Sequence, residues 1–313
     1  MTVSSPTTHR AVVFPRFGDA DVLEIIQVEA PTAGPDQVRV RIEAAGVQPF
    51  DARYRAGLFE PYVPAQLPQT LGNEFAGVVD QVGPGVTGVA VGDEAIGFVW
   101  QAAYADLVVV GAHEIVPKPA GMPWTEAGVL SASGQTAHTA LQELGVERGE
   151  TLLIHAAAGG VGHFAVQLAR ELGARVIGTA SERNHDYLRG LGAEPVTYGD
   201  GLVERVRAIA PEGIAAALDA HGGDEAIEAS VALVEDRKRI GTLSGYAAAQ
   251  RFGIQLIGTQ RSADRLNELV DLYRQGKLVV TVQRAFPLEA VADAHREVET
   301  GHVRGKVVLT TQG

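Results

Sequence analysis

The chain of 313 residues contains no cysteine. That absence removes a disulfide framework, a thiolate nucleophile, a Cys-ligated zinc and an iron–sulfur cluster. Positive charge is in deficit, with 26 Lys+Arg against 38 Asp+Glu and a formal net charge of −12. This argues against a general nucleic-acid or polyanionic-membrane surface, while leaving room for a small local basic pocket. Long apolar runs are missing too. The longest, residues 95–112, is broken by Gln101 and Asp106 and falls short of a membrane span. Residues 1–10 are polar, lack the apolar stretch of a signal peptide, and read as a short frayed tail. There is no Asn-x-Ser/Thr site, no repeat and no low-complexity tract. The expectation is a soluble cytoplasmic protein.

What is present is apolar mass and glycine. At 46% hydrophobic and 20% charged residues, the chain can bury a sizeable core, and its length suits two domains or one large one. Its 37 glycines imply many tight turns. As far as about Pro119, short β-like runs alternate with Gly/Pro turns. Residues 38–42 (VRVRI), 75–82, 94–98 and 106–110 read as strands of a small antiparallel barrel. A helix is expected over 125–144, closed by Gly145. Then β and α patterns alternate. Strands are expected at 151–157, 175–180, 196–198, 215–219, 239–243 and 254–258, with helices at 161–172 and 183–191 stopped by Gly173 and Gly192. Such alternation means an α/β fold with a doubly wound parallel sheet, a Rossmann arrangement. The tail returns to a mixed style, with helices at 262–275 and 288–299 and a last strand at 306–310.

Residues 156–162 (AAAGGVG) follow an apolar strand and open a helix. Aligned to G-x-G-x-x-G, they place Ala157 at the first glycine, then Gly159 and Gly162. Glycine lets the backbone approach a pyrophosphate, and the helix N-terminus supplies N–H groups and partial positive charge. The context of strand, turn and helix is what gives so short a motif its weight. The dinucleotide depends on the end of the second strand. If Ser181 stands at the acidic position of NAD sites, it can donate to a 2′-phosphate that Arg183 can pair, which favours NADP(H). If Glu182 points inward instead, NAD(H) returns. Tyr198, ending the third strand, is another phosphate donor candidate.

At this point the chain resembles the medium-chain dehydrogenase/reductases, in their zinc-independent quinone oxidoreductase and enone reductase branch. The resemblance is carried by residues 44–51 (AAGVQPFD), 71–79 (LGNEFAGVV), 91–95 (VGDEA), 157–162 and 304–308 (RGKVV), in order along nearly the whole chain. It implies a barrel-like (GroES-like) catalytic domain over 1–124, an NADP-binding Rossmann domain over 125–260, and a return to the catalytic domain over 261–313. Zinc-dependent members place Cys where Gln48 stands and His where Asn73 stands, and carry a four-cysteine lobe that this chain lacks. Gln48 also departs from the more usual Asn of the zinc-free branch.

Without a metal, a bound nicotinamide can still deliver hydride to a quinone or an α,β-unsaturated carbonyl, and hydrogen-bond donors then stabilise charge on the remote oxygen. Gln48, Tyr54, Asn73 and Asp51 are the candidate catalytic residues. Gln48 and Asn73 offer amide N–H groups, Tyr54 a phenol, and Asp51 a carboxylate that fixes its neighbours. The candidate cofactor-binding residues are Thr136, Ala158, Gly159, Gly160, Val161, Ser181, Arg183, Tyr198, Leu243 and Arg304. Thr136, Leu243 and Arg304 enter through the resemblance. No metal residue is assigned. His155 reads as packed, and His138, His163 and His221 as structural. No H-E-x-x-H and no G-x-S-x-G occurs. The expected function is NADPH-dependent reduction of a quinone or enone held between the domains. The alternatives are a tailoring reductase dedicated to one metabolite and a catalytically silent NADPH-binding sensor. A possible-edge pattern at 254–259 leads to an expected homodimer.

Overall fold

The computed structural model describes residues 7–60 and 62–311. Two units are present, one of Met1–Ala132, Ser262–Val270 and Val280–Gly313, the other of Ser133–Arg261 and Asp271–Val279.

The first unit is organised by one long strand, Gln37–Val47. Val38, Val40 and Ile42 lie on one face of it and are fully buried. Glu74–Val82 pairs antiparallel along one edge. Leu107–Gly111 and Lys306–Thr310 share the other edge, at opposite ends. The sheet continues through Glu94–Phe98 and Ile115–Pro117 on one side and Val282–Pro287 on the other, the last pairing in parallel. A second sheet places Thr8–Phe14 between Glu24–Glu29 and Gln69–Thr70. Phe14, Ile42, Phe75 and Leu309 belong to one core.

Two local expectations change here. Thr8 to Arg10 are not frayed. They open a strand, and Arg10 is held by Asp106 at 2.7 Å; residues 1–6 of the expected tail lie outside the described residues. The Arg39 guanidinium pairs with Asp80 at 2.8 Å, and the residue is buried. The helix expected over 125–144 is two helices, Trp124–Ala127 and Ser131–Glu143. The break falls at Gly128, where a Cβ would lie 2.7 Å from the Ala44 methyl and 2.8 Å from its carbonyl oxygen. A helix not foreseen, Pro49–Arg55, begins with Pro in its first turn and with Asp51 accepting from the Gln48 N–H at 3.1 Å, the acidic half of a capping box.

The second unit is built from short, nearly continuous apolar strands, as expected when both faces of a parallel sheet are covered. Thr151–His155 is buried along its whole length. Six strands lie in the order Glu194–Val196, Arg175–Thr179, Thr151–His155, Ala216–Asp219, Ile240–Thr242 and Gln255–Leu256, all parallel. Numbered along the chain from Thr151–His155, this is the order 3-2-1-4-5-6 of a doubly wound dinucleotide fold. The helices Gly162–Leu172 and His185–Leu191 end on Gly173 and Gly192, at φ 89° and 91°, left-handed positions that suit glycine. The third strand stops at Val196, so Tyr198 lies beyond it and is exposed.

Two glycines should respond oppositely to alanine. A Cβ at Gly77 would lie 2.1 Å from the Arg41 carbonyl oxygen, a backbone atom that cannot swing aside. Gly77→Ala is expected to lower unfolding free energy by about 2 kcal/mol or more. Gly190, inside the helix His185–Leu191, has nothing within 4 Å of an added Cβ. Gly190→Ala is expected to raise it by about 0.5–1 kcal/mol. Urea denaturation of the two variants checks both, and shifts of the same sign would contradict the packing described.

Candidate functional site

The turn after Thr151–His155 is shaped by backbone contacts. Ala156 adopts φ +52°, a left-handed position taken without glycine. The Ala157 N–H donates to the Thr179 carbonyl at 3.0 Å and the Gly159 N–H to the Ala156 carbonyl at 2.9 Å. Gly162 opens the helix at close range, since a Cβ there would be 2.3 Å from the Ala156 oxygen. Ala157, standing where the motif has its first glycine, is fully buried. Room for its methyl comes from the neighbouring strand, where a Cβ on Gly178 would meet it at 2.8 Å. The substitution on the turn is thus matched by a missing side chain beside it. In the first turn of the following helix, the His163 and Ala165 N–H groups donate to the Gly159 and Val161 carbonyls at 3.1 and 3.0 Å, and the dipole of a helix start suits an anion.

The remaining cofactor candidates of this unit lie after successive strands. Ser181 is half-buried two residues past Thr179, and its carbonyl accepts from the Asn184 N–H at 2.9 Å. Glu182 and Arg183 are both exposed. Leu243 follows the fifth strand and donates its N–H to the Asp219 carbonyl at 3.1 Å. Thr136 shares a 2.7 Å hydrogen bond with the Thr259 hydroxyl. Arg304 belongs to the other unit, where its backbone N–H donates to Gln283 Oε1 at 2.7 Å. His155 is packed, with Nε2 3.0 Å from Ser230 Oγ, and burial lowers its pKa to about 4. His163 Nδ1 donates to the Gly159 carbonyl at 3.0 Å, and His221 is exposed.

In the first unit, three of the four catalytic candidates join one buried polar cluster. Asp51 is fully buried. One of its carboxylate oxygens accepts from Asn73 Nδ2 at 3.0 Å, the other from the Tyr104 hydroxyl at 2.8 Å and the Gln48 N–H at 3.1 Å. Gln48 Nε2 donates to Glu74 Oε1 at 3.2 Å. Glu74, also fully buried, pairs with Lys306 Nζ at 2.9 Å and accepts from the Ala132 N–H at 2.6 Å. Tyr54 stands apart. Its hydroxyl donates to the Pro64 carbonyl at 3.2 Å and its ring stacks on Phe50.

Glu74, Lys306 and Tyr104 were not anticipated as members of this cluster. Glu74 adjoins Asn73 in sequence, and a lysine opening an apolar strand, as in KVVLT, is a faint signal of a buried cation. Burial is the main cause that raises the Asp51 pKa to about 6, opposed by the hydrogen bond from Tyr104 and by the charge of Lys306. Burial and the adjoining Asp51 carboxylate push the Tyr104 phenol well above its ordinary value. Among the described residues, no group of three or more His, Cys, Asp or Glu is arranged to hold a metal ion. No helix among them is long and apolar enough to cross a membrane.

Strand order, turn and helix start define the second unit as a dinucleotide-binding unit of the doubly wound class. Comparison with known proteins agrees. Residues 34–141 match the alcohol dehydrogenase GroES-like domain, and residues 191–309 match the zinc-binding dehydrogenase family. A quinone oxidoreductase of Pseudomonas aeruginosa is 31% identical over 96% of this chain and 99% of its own length. The pikromycin polyketide synthase component PikAII of Streptomyces venezuelae is 33% identical over 94% of this chain, which spans only 8% of that protein. Escherichia coli quinone oxidoreductase, solved in complex with NADPH, superposes with a TM-score of 0.86 at 26% identity, over 96% of this chain and 99% of that one. The chain belongs to the medium-chain dehydrogenase/reductase family, in its quinone oxidoreductase and enone reductase branch, and is an oxidoreductase.

The raised Asp51 pKa has a thermodynamic consequence. A folded-state value above the unfolded one means that the folded protein holds this proton more tightly. Its contribution is therefore present below about pH 4 and is lost as the pH rises to about 6. The unfolding free energy of the wild type minus that of Asp51→Asn is expected to fall by roughly 3 kcal/mol across that window and to be flat outside it. Denaturation series at stepped pH test this. A flat difference throughout would place the Asp51 pKa near its ordinary value.

Proposed function

We propose that this oxidoreductase transfers hydride from NADPH to a quinone or an α,β-unsaturated carbonyl, and that it does so without zinc. The observation that carries this is the pair of carboxamides, Gln48 and Asn73, tied to the buried carboxylates Glu74 and Asp51. They stand at the positions where zinc-dependent relatives present Cys and His. Carboxamides are poor zinc ligands, and the chain has no thiolate to offer. On this basis the polar groups of the first unit serve a hydride acceptor directly.

The residues present fit a dinucleotide. The turn with Gly159 and Gly162 keeps side chains away from the helix start, so the N–H groups of Ala158, Gly160 and Val161 are assigned to the pyrophosphate, and Gly159, whose N–H donates to the Ala156 carbonyl, is assigned to the close approach of the cofactor. Ser181 and Arg183 are assigned to a 2′-phosphate, with Tyr198 beside the third strand as a further donor. Thr136 and Leu243 are assigned to the nicotinamide end, and Arg304 to the cofactor. When bound, the cofactor supplies the hydride. The chain's own part is to orient and to stabilise. Gln48 Nε2 carries two hydrogens, and Glu74 takes one. The second is assigned to the acceptor oxygen, where negative charge develops. Asp51 and Asn73 hold the surrounding backbone, and Tyr54, its hydroxyl given to Pro64, forms part of the wall.

The 33% identity to a segment of a polyketide synthase favours a second reading, dedicated reduction of a single metabolite. A broad acceptor screen separates the two, because a dedicated reductase leaves simple quinones and enones untouched.

For the main proposal, NADPH consumption is measured with quinone and enone acceptors before and after exhaustive chelation. Turnover unchanged by chelation is expected, and full dependence on added zinc would overturn the metal-free mechanism. The cofactor assignment has its own test. Ser181→Asp places a negative charge against the 2′-phosphate, and the NADPH to NADH ratio of kcat/KM is expected to drop about tenfold or more. An unchanged ratio would show that Ser181 does not meet that phosphate.

A further inference from the structure

Aromatic rings gather beside the polar cluster. Phe50 comes two residues after Gln48. Its ring stacks on Phe59 at 5.0 Å and 17° and on Tyr54 at 5.9 Å and 14°. It also lies 5.8 Å from the ring of Trp100, tilted by 57°. Trp100 in turn follows Val99, whose N–H donates to the Asn73 carbonyl at 3.2 Å. The short stretches that carry Gln48 and Asn73 therefore also carry Phe50 and Trp100. The indole is 57% exposed, a large apolar ring left in water at the end of a ring stack.

The next residue is unusual in two ways. Gln101 adopts φ +53°, a left-handed conformation costly for a residue with a side chain. Its carboxamide is buried, yet among the described residues neither its oxygen nor its nitrogen has a hydrogen-bond partner. The backbone there is not loose, because the Thr70 hydroxyl donates to the Gln101 carbonyl. Buried polar groups are satisfied in most native structures, so this carboxamide calls for a polar partner, which a water or a bound molecule can supply.

We propose that Trp100, with Phe50 behind it, is an aromatic platform that selects the acceptor, and that the acceptor class is one whose reducible group is conjugated to an aryl ring: an aryl enone or an arene-fused quinone. This rests on the reduction reading above and narrows it. Flat π faces gain from offset stacking beyond the area they bury, a gain that an alkyl substituent does not share. The ring stack then supplies discrimination, and the carboxamides of Gln48 and Gln101 supply polar contacts to the carbonyl end.

A matched pair of enones tests this, 4-phenyl-3-buten-2-one against 3-penten-2-one, which differ by phenyl for methyl at the reacting bond. Comparing the ratio of their kcat/KM values between wild type and variant cancels their intrinsic reactivity. Trp100→Ala is expected to lower the phenyl-to-methyl ratio about fivefold to tenfold, and Trp100→Phe to restore most of it. An unchanged ratio, or equal loss for both enones, would overturn the platform. A binding measurement needs no turnover. The chain has two tryptophans, so Trp124→Phe leaves Trp100 as the only indole reporter. Titration with the saturated ketone 4-phenyl-2-butanone is expected to give a saturable change in its fluorescence. If neither enone is reduced while that change persists, the reduction reading falls and the aromatic site stands. If both enones are reduced with an unchanged ratio in Trp100→Ala, the platform falls and the reduction reading stands. Absence of both turnover and saturable binding removes both.

Discussion

The ion pair between Glu74 and Lys306 is buried on both sides, and much of the first unit is arranged around it. Taking two charges out of water costs several kcal/mol each, and the pair survives only if the spare oxygens and protons are also satisfied. Here Glu74 is saturated by Lys306, the Gln48 carboxamide and the Ala132 N–H. These partners come from the last strand, the cap of the Pro49–Arg55 helix and the start of the Ser131–Glu143 helix. One carboxylate thus fixes three elements distant in sequence. The requirement spreads further. Gly46 must lack a side chain, because a Cβ would lie 2.2 Å from Glu74 Oε1. Asp51 then faces a neighbourhood whose lysine is already engaged. Lys306 lowers its pKa and Glu74 raises it, and burial leaves the net shift upward.

The dinucleotide unit solves a different problem with backbone rather than charge. Nothing in its turn relies on a buried ion. Ala156 takes a left-handed φ, Gly162 admits the carbonyl of Ala156, and the Ala157 methyl occupies space left by Gly178. A change at any of these positions is felt by the next, because the contacts are between backbone and Cβ atoms that cannot rotate away. An acidic chain can carry a phosphate site on these terms, since N–H dipoles at a helix start do the work of cations.

The parallel sheet was legible in the sequence because each level of signal agreed. The strands were apolar runs, the helices ended on glycines found at φ 89° and 91°, and the glycine turn sat between the two. Elements with mixed signals were missed. Val282–Pro287 exposes three consecutive residues and pairs only along one edge, so it carries little alternation. Thr8–Phe14 begins in a polar stretch, and its Arg10 is satisfied by an acid 96 residues away. The helix expected over 125–144 breaks at Gly128, which sits so close to Ala44 that a side chain there would collide with it. The site shows the same division. Gln48, Asp51 and Asn73 were visible as residue types on a motif, whereas Glu74 and Lys306 become a pair only when strands far apart in sequence are adjacent. The amide N–H groups of Gln48 and Asn73 were expected to face an acceptor. Each gives one of its two hydrogens to a buried carboxylate, a competition no local pattern reveals.

That competition bears on the kind of acceptor the site suits. The cluster sets two acidic side chains, Asp51 and Glu74, against one basic one, Lys306. A full oxyanion formed close by would be repelled rather than held, and the uncharged donors left to oppose this are few. Stabilisation must then come partly from the acceptor itself. A quinone spreads the charge over its ring and second oxygen, and a conjugated enone spreads it between oxygen and carbon. An isolated ketone localises it on one oxygen and in zinc enzymes relies on the metal to hold it. Under the proposed reading, a cluster with two acids to one base, in which Gln48 gives one carboxamide hydrogen to Glu74, suits delocalised acceptors on electrostatic grounds, independently of the rings beside it.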